Sequence, residues 1–403
     1  MAGFSPPGNG KKSGRKRGGG PRKVADFRYK PSSGQREKAK TQDALGCSNG
    51  SASEGTVPGI DSDCRFGNGR ERAHPRQAYA ALDLGTNNCR LLIARPSGGD
   101  FTVIDAFSRV VKLGEDLAKT GRLSDKAMDR TLGALTICAD KLRRRNVYLA
   151  RSVATEACRR AANGPEFIER VRAETGIALD IISAQEEARL AVLGCHILLE
   201  QGEGPAVIFD IGGGSTELVL LDAGGPVPKI LDWQSVPWGV VSLTDTVGRG
   251  PVNSDAERTQ RYAKMRQLVR DSFAPFAERV VEASKHRDIR LLGTSGTVTT
   301  LASLYLELPH YDRKAVDGLI VPAESMREIS ARLSGMSRGE RSNLPCIGQD
   351  RAELVVAGCA ILESILDIWP ASRLGVADRG IREGILRSLM AAELQRPEAS
   401  AVK

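Results

Sequence analysis

The 403-residue sequence predicts an α/β fold in which two tandem domains face a central cleft, preceded by a disordered basic tail. Three observations lead to this fold. A glycine-rich hairpin motif occurs twice, a strand–loop–helix motif follows each copy, and the excess positive charge is confined to the N-terminal 78 residues. We expect the tail to cover residues 1–78 and the first domain 79–203, with the second domain over 204–395 ending in a helix that closes the cleft.

The N-terminal segment carries all of the net charge of +9. Residues 1–78 contain 16 Lys and Arg against 7 Asp and Glu, which leaves 42 basic and 42 acidic residues in the rest of the chain. The segment is rich in Gly, Ser and Pro and has no apolar periodicity, so it should be disordered. Its Lys/Arg cluster at 11–23 could contact a polyanion such as RNA, anionic lipid or polyphosphate. A solvated tail or a misassigned start codon would explain the same composition, and Gly and Pro disfavour the helix of an organellar presequence.

The two hairpins are the main evidence for a repeat. The first reads Asp83-Leu-Gly-Thr-Asn-Asn-Cys-Arg90, and the second, 127 positions later, reads Asp210-Ile-Gly-Gly-Gly-Ser-Thr-Glu217. An apolar run precedes each Asp-x-Gly and another follows the polar loop, which favours adjacent antiparallel strands. Backbone N–H groups and hydroxyls of such a loop can bind phosphate oxygens, and the Asp can hold a cation or its water. The loops supply these candidate phosphate-binding residues: Gly85, Thr86, Asn87, Asn88, Gly212, Gly213, Gly214, Ser215 and Thr216.

A single Asp-x-Gly turn is an ordinary hairpin, so the second repeated motif matters. About 70 to 85 residues after each hairpin, a strand leads through small polar residues into a helix, at 148–163 and at 289–306. The first N–H groups of a helix have no partner within it and can therefore bind an anion. This adds Thr155, Gly293, Thr294, Ser295 and Gly296 to the candidate phosphate-binding residues. Four such loops in two matched halves indicate a phosphate clamp built twice.

The remaining elements follow from apolar periodicity and turn signals. Further strands are expected at 101–109, 178–183, 230–236 and 373–376, and a linker at 201–205. Helices are expected at 125–146, 156–162, 185–200, 255–285 and 350–368, with a last helix opening after Arg379.

The helix near Ser183 carries the candidate catalytic residue. Ser183 suits an N-cap, and acidic residues suit the first turn, so Glu186 and Glu187 could simply stabilise the helix start. Spacing separates them, because Glu187 lies three and seven residues before Leu190 and Gly194 on the apolar face, whereas Glu186 is about 100° further round the helix. An inward carboxylate beside a phosphate cleft could accept a proton from water or orient it, so Glu187 is the candidate catalytic residue.

Other classes of protein are disfavoured by composition. No run of 18 apolar residues is present, so no membrane span is expected. The eight cysteines form no C-x-x-C pair and the four histidines no H-E-x-x-H pattern, which argues against a zinc site and against a secreted disulfide framework. A cytoplasmic protein is the expectation.

Taken together, the motifs resemble the exopolyphosphatase/guanosine pentaphosphate phosphohydrolase (Ppx/GppA) family of the actin-like ATPase superfamily, over about residues 79–390. Besides the hairpins, the matching segments are Ala-Thr155-Glu-Ala-Cys-Arg159, Ile-Ser183-Ala-Gln-Glu-Glu187, Gly293-Thr-Ser-Gly-Thr and Asp378-Arg-Gly-Ile-Arg-Glu-Gly. The resemblance implies two actin-like (ribonuclease H-like) domains. The chain ends soon after the last motif, as in the family's short two-domain form, which lacks the extra C-terminal helical domains of long members.

The resemblance also implies an activity and roles for residues. The family removes the terminal phosphate of inorganic polyphosphate, or the γ-phosphate of pppGpp, an alarmone of the stringent response. Glu187 matches the catalytic glutamate that activates water. Asp83, Asp210 and Glu217 match the acidic positions around Mg²⁺ (or Mn²⁺). Arg90 and Arg159 match arginines that face the phosphates, which suits guanidinium geometry. Members commonly form homodimers, so a homodimer is a further expectation.

Two other functions stay open on the sequence alone. An ATP-dependent kinase of the same superfamily would use the same double loop, but it needs an acceptor pocket and usually a catalytic Asp. A non-catalytic nucleotide- or RNA-binding protein would have no use for the acidic residues Glu187, Asp210 and Glu217, all of which are intact.

Overall fold

A computed structural model of the protein describes residues 77–394, apart from 203, 226–227, 251, 253 and 285–288. The predicted basic tail, except for its last two residues, and the Lys/Arg cluster at 11–23 lie outside the described residues. Two mixed sheets with packed helices form the described part, one sheet in each half of the chain. No helix within it is both long and apolar enough to cross a membrane.

The first sheet has five strands. They are β1 Ala78–Leu84, β2 Asn88–Ser97, β3 Asp100–Val110, β4 Val147–Ala154 and β5 Leu179–Ile181. The spatial order is β3-β2-β1-β4-β5, in which β2 is antiparallel to both of its neighbours, β1 and β3, and β4 and β5 run parallel to β1. Strand β1 is buried on both faces, since Leu82 and Leu84 pack into one apolar layer and Tyr79 and Ala81 into another. Its continuous apolar sequence is what a central strand covered on both sides requires.

The second sheet repeats this plan. Its strands are β6 Pro205–Ile211, β7 Thr216–Asp222, β8 Lys229–Val236, β9 Arg290–Thr294, β10 Ile320–Pro322 and β11 Arg373–Ala377. Along the sheet, β8-β7-β6-β9-β11 reproduces the order of the first sheet, and the short antiparallel strand β10 is added at the edge. The predicted α/β fold with two similar halves is therefore confirmed.

Helices cover both sheets. In the first half they are α1 Leu117–Thr120, α2 Asp125–Arg144, α3 Glu156–Arg160, α4 Gly164–Thr175 and α5 Ala184–Cys195, the last followed by a 3₁₀ turn at His196–Leu198. In the second half they are α6 Val240–Val247, α7 Asp255–Arg279, α8 Val281–Ser284, α9 Gly296–Tyr305, α10 Arg313–Val316, α11 Ala323–Gly335, α12 Arg338–Ser342, α13 Gly348–Arg351, α14 Val355–Ile368 and α15 Ile381–Leu394.

Helix α2 shows why these segments are helical. The hydroxyl of Ser124 accepts a hydrogen bond from the N–H of Ala127 and so caps the first turn. Met128, Leu132 and Leu135 then recur at spacings of four and three residues and are buried against the first sheet.

Several predicted helix ends were wrong. The helix expected at 185–200 ends at Cys195, the one at 156–162 ends at Arg160, and the one at 255–285 ends at Arg279. The single helix expected at 350–368 is two helices, α13 and α14, separated at 352–354. The helices that were not predicted are α1, α4, α6, α10, α11 and α12.

Helices α5 and α15 connect the two halves. Ala188 and Val192 of α5 pack on the second sheet, although α5 precedes the predicted boundary at 203/204. Ile385 and Leu386 of α15 pack with Tyr79 on the first sheet, although α15 follows that boundary. Each half therefore receives a helix from the other, and the boundary between two separate domains stays a prediction.

The crossing of α5 and α15 depends on glycine. A Cβ atom on Gly194 would overlap the carbonyl of Gly380, and one on Gly384 would overlap the carbonyl of Leu190. The two helix backbones are therefore in direct contact. This contact holds α5, whose first turn carries Glu187, at a fixed distance from α15.

Candidate active site

A cavity of about 140 Å³ lies between the two sheets, at the ends of β1 and β6. Fifteen of the residues predicted from the sequence line it together. They are Asp83, Gly85, Thr86, Asn87, Asn88, Arg90, Thr155, Glu187, Asp210, Gly212, Gly213, Gly214, Ser215, Glu217 and Gly296. Residues separated by more than 200 positions in the chain thus share one cavity.

The two hairpin loops have the same local geometry. In the first, the N–H of Gly85 donates to the carbonyl of Asn88 at 2.9 Å, and in the second the N–H of Gly212 donates to the carbonyl of Ser215, also at 2.9 Å. The residue opposite the aspartate differs, however. Asp83 pairs across the strands with Arg90, whereas Asp210 pairs with Glu217. At the position opposite the aspartate, the first half therefore contributes a guanidinium to the cavity and the second half a carboxylate.

The loops from the two halves are in contact. A Cβ atom on Gly214 would lie 2.6 Å from Thr86 Oγ1 and 2.8 Å from Glu156 Cγ, and one on Gly213 would lie 3.2 Å from the backbone nitrogen of Asn87. Any side chain at Gly213 or Gly214 would push the halves apart. The absence of side chains there lets backbone N–H groups of both loops approach one ligand.

Glu187 occupies the start of α5, as the periodicity indicated. The Ser183 hydroxyl caps the helix by accepting from the N–H of Glu186 at 3.1 Å. The Glu187 side chain points inward and is only 9% exposed. Arg159 donates to Glu187 Oε2 at 3.0 Å and also to the carbonyl of Ile182 at 2.8 Å, so the carboxylate is held in one orientation. Glu186 instead faces Arg189 and Arg151 in ion pairs away from the cavity.

Burial and mutual repulsion raise the pKa values of the carboxylates that line the cavity. Burial, then the Glu217 charge, raises the pKa of Glu187 well above its usual range, against the opposing effect of Arg159. Burial and the Glu187 charge raise the pKa of Asp210 to about 7. Burial and Asp210 raise that of Glu217 to about 7, although hydrogen bonds from the hydroxyls of Ser215 and Ser235 oppose the shift. Burial also raises the pKa of Asp83.

Repulsion among the carboxylates of the cavity thus adds to the effect of burial on the pKa values of Glu187, Asp210 and Glu217. Positive charge comes from Arg90 and Arg351, which line the cavity, and from Arg382 beside them. Burial, then the repulsion of Arg382, lowers the pKa of Arg90. A ligand that brings both anionic oxygens and a cation would reduce the repulsion between the arginines and the repulsion among the carboxylates.

Five predicted site residues lie off the cavity wall. Arg159 lies behind Glu187 rather than on the wall. The hydroxyl of Thr216 donates to the carbonyl of Trp238 at 2.6 Å, and that of Thr294 to the carbonyl of Arg379 at 2.6 Å. Gly293 packs under the Phe209 ring, and the Ser295 hydroxyl caps α9. These five residues make contacts within the protein, and a contact of any of them with phosphate stays a prediction.

The structure adds cavity residues that were not predicted. Glu156, Thr297 and Thr300 follow predicted loop residues by one to four positions, so extending each loop by a helical turn would have included them. Arg351, which donates to Thr300 Oγ1 at 3.1 Å, comes from α13. No local signal in the sequence marks it, because its neighbours in the site are distant in the chain.

The acidic residues of the cavity are the candidates for holding Mg²⁺. Asp83, Asp210 and Glu217 face the same cavity. Among the described residues, no three His, Cys, Asp or Glu side chains are close enough to hold a metal ion on their own. Such an arrangement does not suit an all-protein cage. It does suit Mg²⁺, which binds through one or two carboxylates together with waters and substrate phosphates.

The sequence and the fold both match known proteins. The model of the Ppx/GppA phosphatase family matches residues 92–393. The chain belongs to the Ppx/GppA phosphatase family. Exopolyphosphatase 2 of Mycobacterium tuberculosis is 32% identical over 323 residues, covering 77% of this chain and 98% of the relative. This member of the Ppx/GppA family therefore aligns with nearly the whole length of that relative.

Solved structures agree with this membership. The Aquifex aeolicus member of the Ppx/GppA family superposes with a TM-score of 0.63 at 29% identity, covering 79% of this chain and 99% of that one. An exopolyphosphatase-like protein superposes with a TM-score of 0.70 at 28% identity, over 79% and 99% of the two chains. The predicted pair of actin-like domains is thus the fold of this Ppx/GppA family member, and the protein is a phosphatase of that family.

Proposed function

We propose that this protein is a Mg²⁺-dependent exopolyphosphatase, which removes the terminal phosphate of inorganic polyphosphate by attack of a water molecule that Glu187 activates. The observation that carries the proposal is the position of Glu187. Its buried carboxylate, oriented by Arg159, shares one cavity with both glycine loops. The similarity of the chain to Exopolyphosphatase 2 favours polyphosphate as the substrate class.

The chemistry needs positioning and neutralisation of charge rather than a covalent intermediate. The two hairpin loops would hold the terminal phosphate through backbone N–H groups and the hydroxyls of Thr86 and Ser215. Water attacks phosphorus as the bond to the bridging oxygen breaks, and the shortened chain leaves with the electron pair of that bond. Glu187 accepts the proton of the water, and burial, which raises the pKa of Glu187, makes its carboxylate a stronger base than that of an ordinary glutamate. Arg90 faces the negative charge that the leaving chain acquires.

Mg²⁺ would be held by one or two of Asp83, Asp210 and Glu217 together with substrate phosphates. When bound, it would neutralise phosphate charge and offset the repulsion among these carboxylates.

The γ-phosphate of pppGpp is the second candidate substrate, since a clamp on a terminal phosphoanhydride does not depend on what lies beyond it. The test is release of inorganic phosphate from long polyphosphate and from pppGpp in parallel, with Mg²⁺ and with a chelator. Release from polyphosphate that needs Mg²⁺ supports the proposal, and release mainly from pppGpp would replace it with alarmone hydrolysis. Transfer of phosphate from ATP to an acceptor, without release, would make the protein a kinase instead.

The basic N-terminal segment is proposed as an arm that holds a polyanion, on the basis of its charge alone. Deletion of residues 1–76 should then raise the KM for long polyphosphate, and more so at low salt, because salt screens such contacts. An unchanged KM at every salt concentration would refute this role.

A further inference from the structure

A second concave surface, here called the arginine groove, lies on the second half of the protein. It offers a space of about 460 Å³. The charged side chains that line it are Arg249, Arg258, Arg261, Arg338, Arg341 and Glu353. Five guanidinium groups and one carboxylate around one groove form an unusually positive surface.

The arginine groove is adjacent to the active-site cavity. Leu354 and Val355, at the start of α14, line the cavity. Their neighbours in sequence, Glu353 and Val356, line the groove. Consecutive residues of the chain therefore line both, so the groove lies close to the cavity, within reach of a long polyanion whose end enters it.

The positive charge of the groove is only partly neutralised. Arg249 forms ion pairs with Asp245 and Glu353, and Arg258 forms one with Asp255. Arg261 donates to the carbonyl of Gly250 at 3.0 Å, and Arg338 is exposed. Within the part of the chain that the structure describes, neither Arg261 nor Arg338 forms an ion pair.

The floor of the groove is a buried guanidinium. Arg341 is 8% exposed, and its guanidinium donates to the backbone carbonyls of Leu333, Met336 and Ala352. Arg258 also lines the groove, and burial, then the charge of Arg258, lowers the pKa of Arg341. The Nε of Arg258 is shielded from solvent and has no acceptor among the described residues. An anion in the groove would reduce the repulsion between these two guanidinium groups.

We propose that the arginine groove binds a phosphate-bearing anion, namely a segment of the polyphosphate chain remote from the end that enters the cavity. Guanidinium groups match phosphate oxygens in geometry as well as charge. A chain of identical phosphates can place one in the cavity and others in the groove. This inference rests on the proposed exopolyphosphatase function and deepens it, since it gives the protein a means of preferring long substrates.

The test compares Arg261→Ala and Arg338→Ala with Arg270→Ala, which removes an exposed arginine of α7, the helix that carries Arg261, at a position outside the groove. Phosphate release is measured with polyphosphate of several hundred units and with tripolyphosphate. We expect each groove variant to raise the KM for the long chain by roughly three- to tenfold with kcat unchanged. The KM for tripolyphosphate and the melting temperature should not change, and Arg270→Ala should behave as the wild type.

Three results would overturn the inference. The first is an unchanged KM for the long chain in both groove variants, and the second is an equal rise in KM for both substrates. In the third, the wild type binds inorganic phosphate and the groove variants do not, while the KM for the long chain is unchanged. That result would make the groove a site for free phosphate. If the wild type releases phosphate from neither substrate, the proposed function fails instead. Binding of labelled long polyphosphate then tests the groove. Weaker binding by the groove variants than by the wild type would support the inference, and equal binding would overturn it.

Discussion

Arg159 holds Glu187 from behind, with its Nη1 atom 3.0 Å from Glu187 Oε2. Its Nη2 atom donates to Glu156 Oε2 at 2.6 Å, so one guanidinium joins two carboxylates from α3 and α5. The positive charge also opposes the rise in the pKa of Glu187 that burial causes. Arg159 is therefore a positioning residue for Glu187, and it sets how readily that carboxylate loses its proton.

Replacement of Arg159 should change the pH profile as well as the rate. In Arg159→Ala the pKa of Glu187 should rise further, and because the base must be deprotonated, the acidic limb of the kcat profile should move to higher pH. Arg159→Lys should restore part of this shift. Arg160→Ala, on the exposed side of the same helix, is the control and should leave the profile in place. An unshifted acidic limb in Arg159→Ala, with only a lower kcat, would contradict the assigned role.

Glu187→Gln should reduce kcat by about 10²- to 10⁴-fold, because the amide cannot accept the proton of the attacking water. Binding of polyphosphate, measured by fluorescence anisotropy, should persist. Glu186→Gln is the matched control, since Glu186 is adjacent in the same turn but pairs with Arg151 and Arg189. Equal losses of kcat in the two variants would show that the helix start, rather than one carboxylate, matters.

The metal-free protein should become less stable as the pH rises from about 5 to 8. Burial and repulsion by neighbouring carboxylates raise the pKa values of Asp210 and Glu217 to about 7 in the folded state, above the ordinary values of 3.8 and 4.5. The folded state therefore binds protons more tightly than the unfolded state, and the stability this gives at low pH is lost as the pH rises through 7. Thermal unfolding in a chelator measures the effect, and Mg²⁺ should raise the melting temperature most at pH 8.

Asp210→Asn should remove much of this dependence and stabilise the metal-free protein at pH 8 by about 2 kcal/mol. Asp180→Asn, which alters an exposed carboxylate of β5, serves as the control and should keep the wild-type dependence. A flat melting temperature from pH 5 to 8 in the wild-type protein would refute the interpretation.

Gly384→Ala should destabilise the protein by about 1–3 kcal/mol, because the new methyl group overlaps the Leu190 carbonyl where α5 and α15 cross. Activity should also fall, since any shift of α5 moves Glu187. Gly133→Ala is the control. It lies on the exposed face of α2 with nothing within 4 Å of the added methyl group, so it should stabilise the protein by about 0.5–1 kcal/mol. A neutral result for Gly384→Ala in chemical denaturation would contradict the close helix contact.

Features that depend on local sequence were predictable. Both hairpins form where the Asp-x-Gly motifs place them, since a hairpin brings together residues a few positions apart. The first turn of α5 turns Glu187 inward and Glu186 outward because helical spacing alone fixes their relative directions. Helix ends were predicted less well, and the break between α13 and α14 was missed because neither Gly nor Pro occurs at 352–354 to mark it.

The sequence by itself determined the two phosphate-type loops, their duplication and the face on which Glu187 lies. Only the tertiary structure decided that Arg159 supports Glu187 instead of lining the cavity, that Arg351 enters the site, and that α15 packs on the first sheet. The reason is physical. Periodicity records the direction in which a side chain leaves its own helix or strand, but not which distant element stands there to receive it.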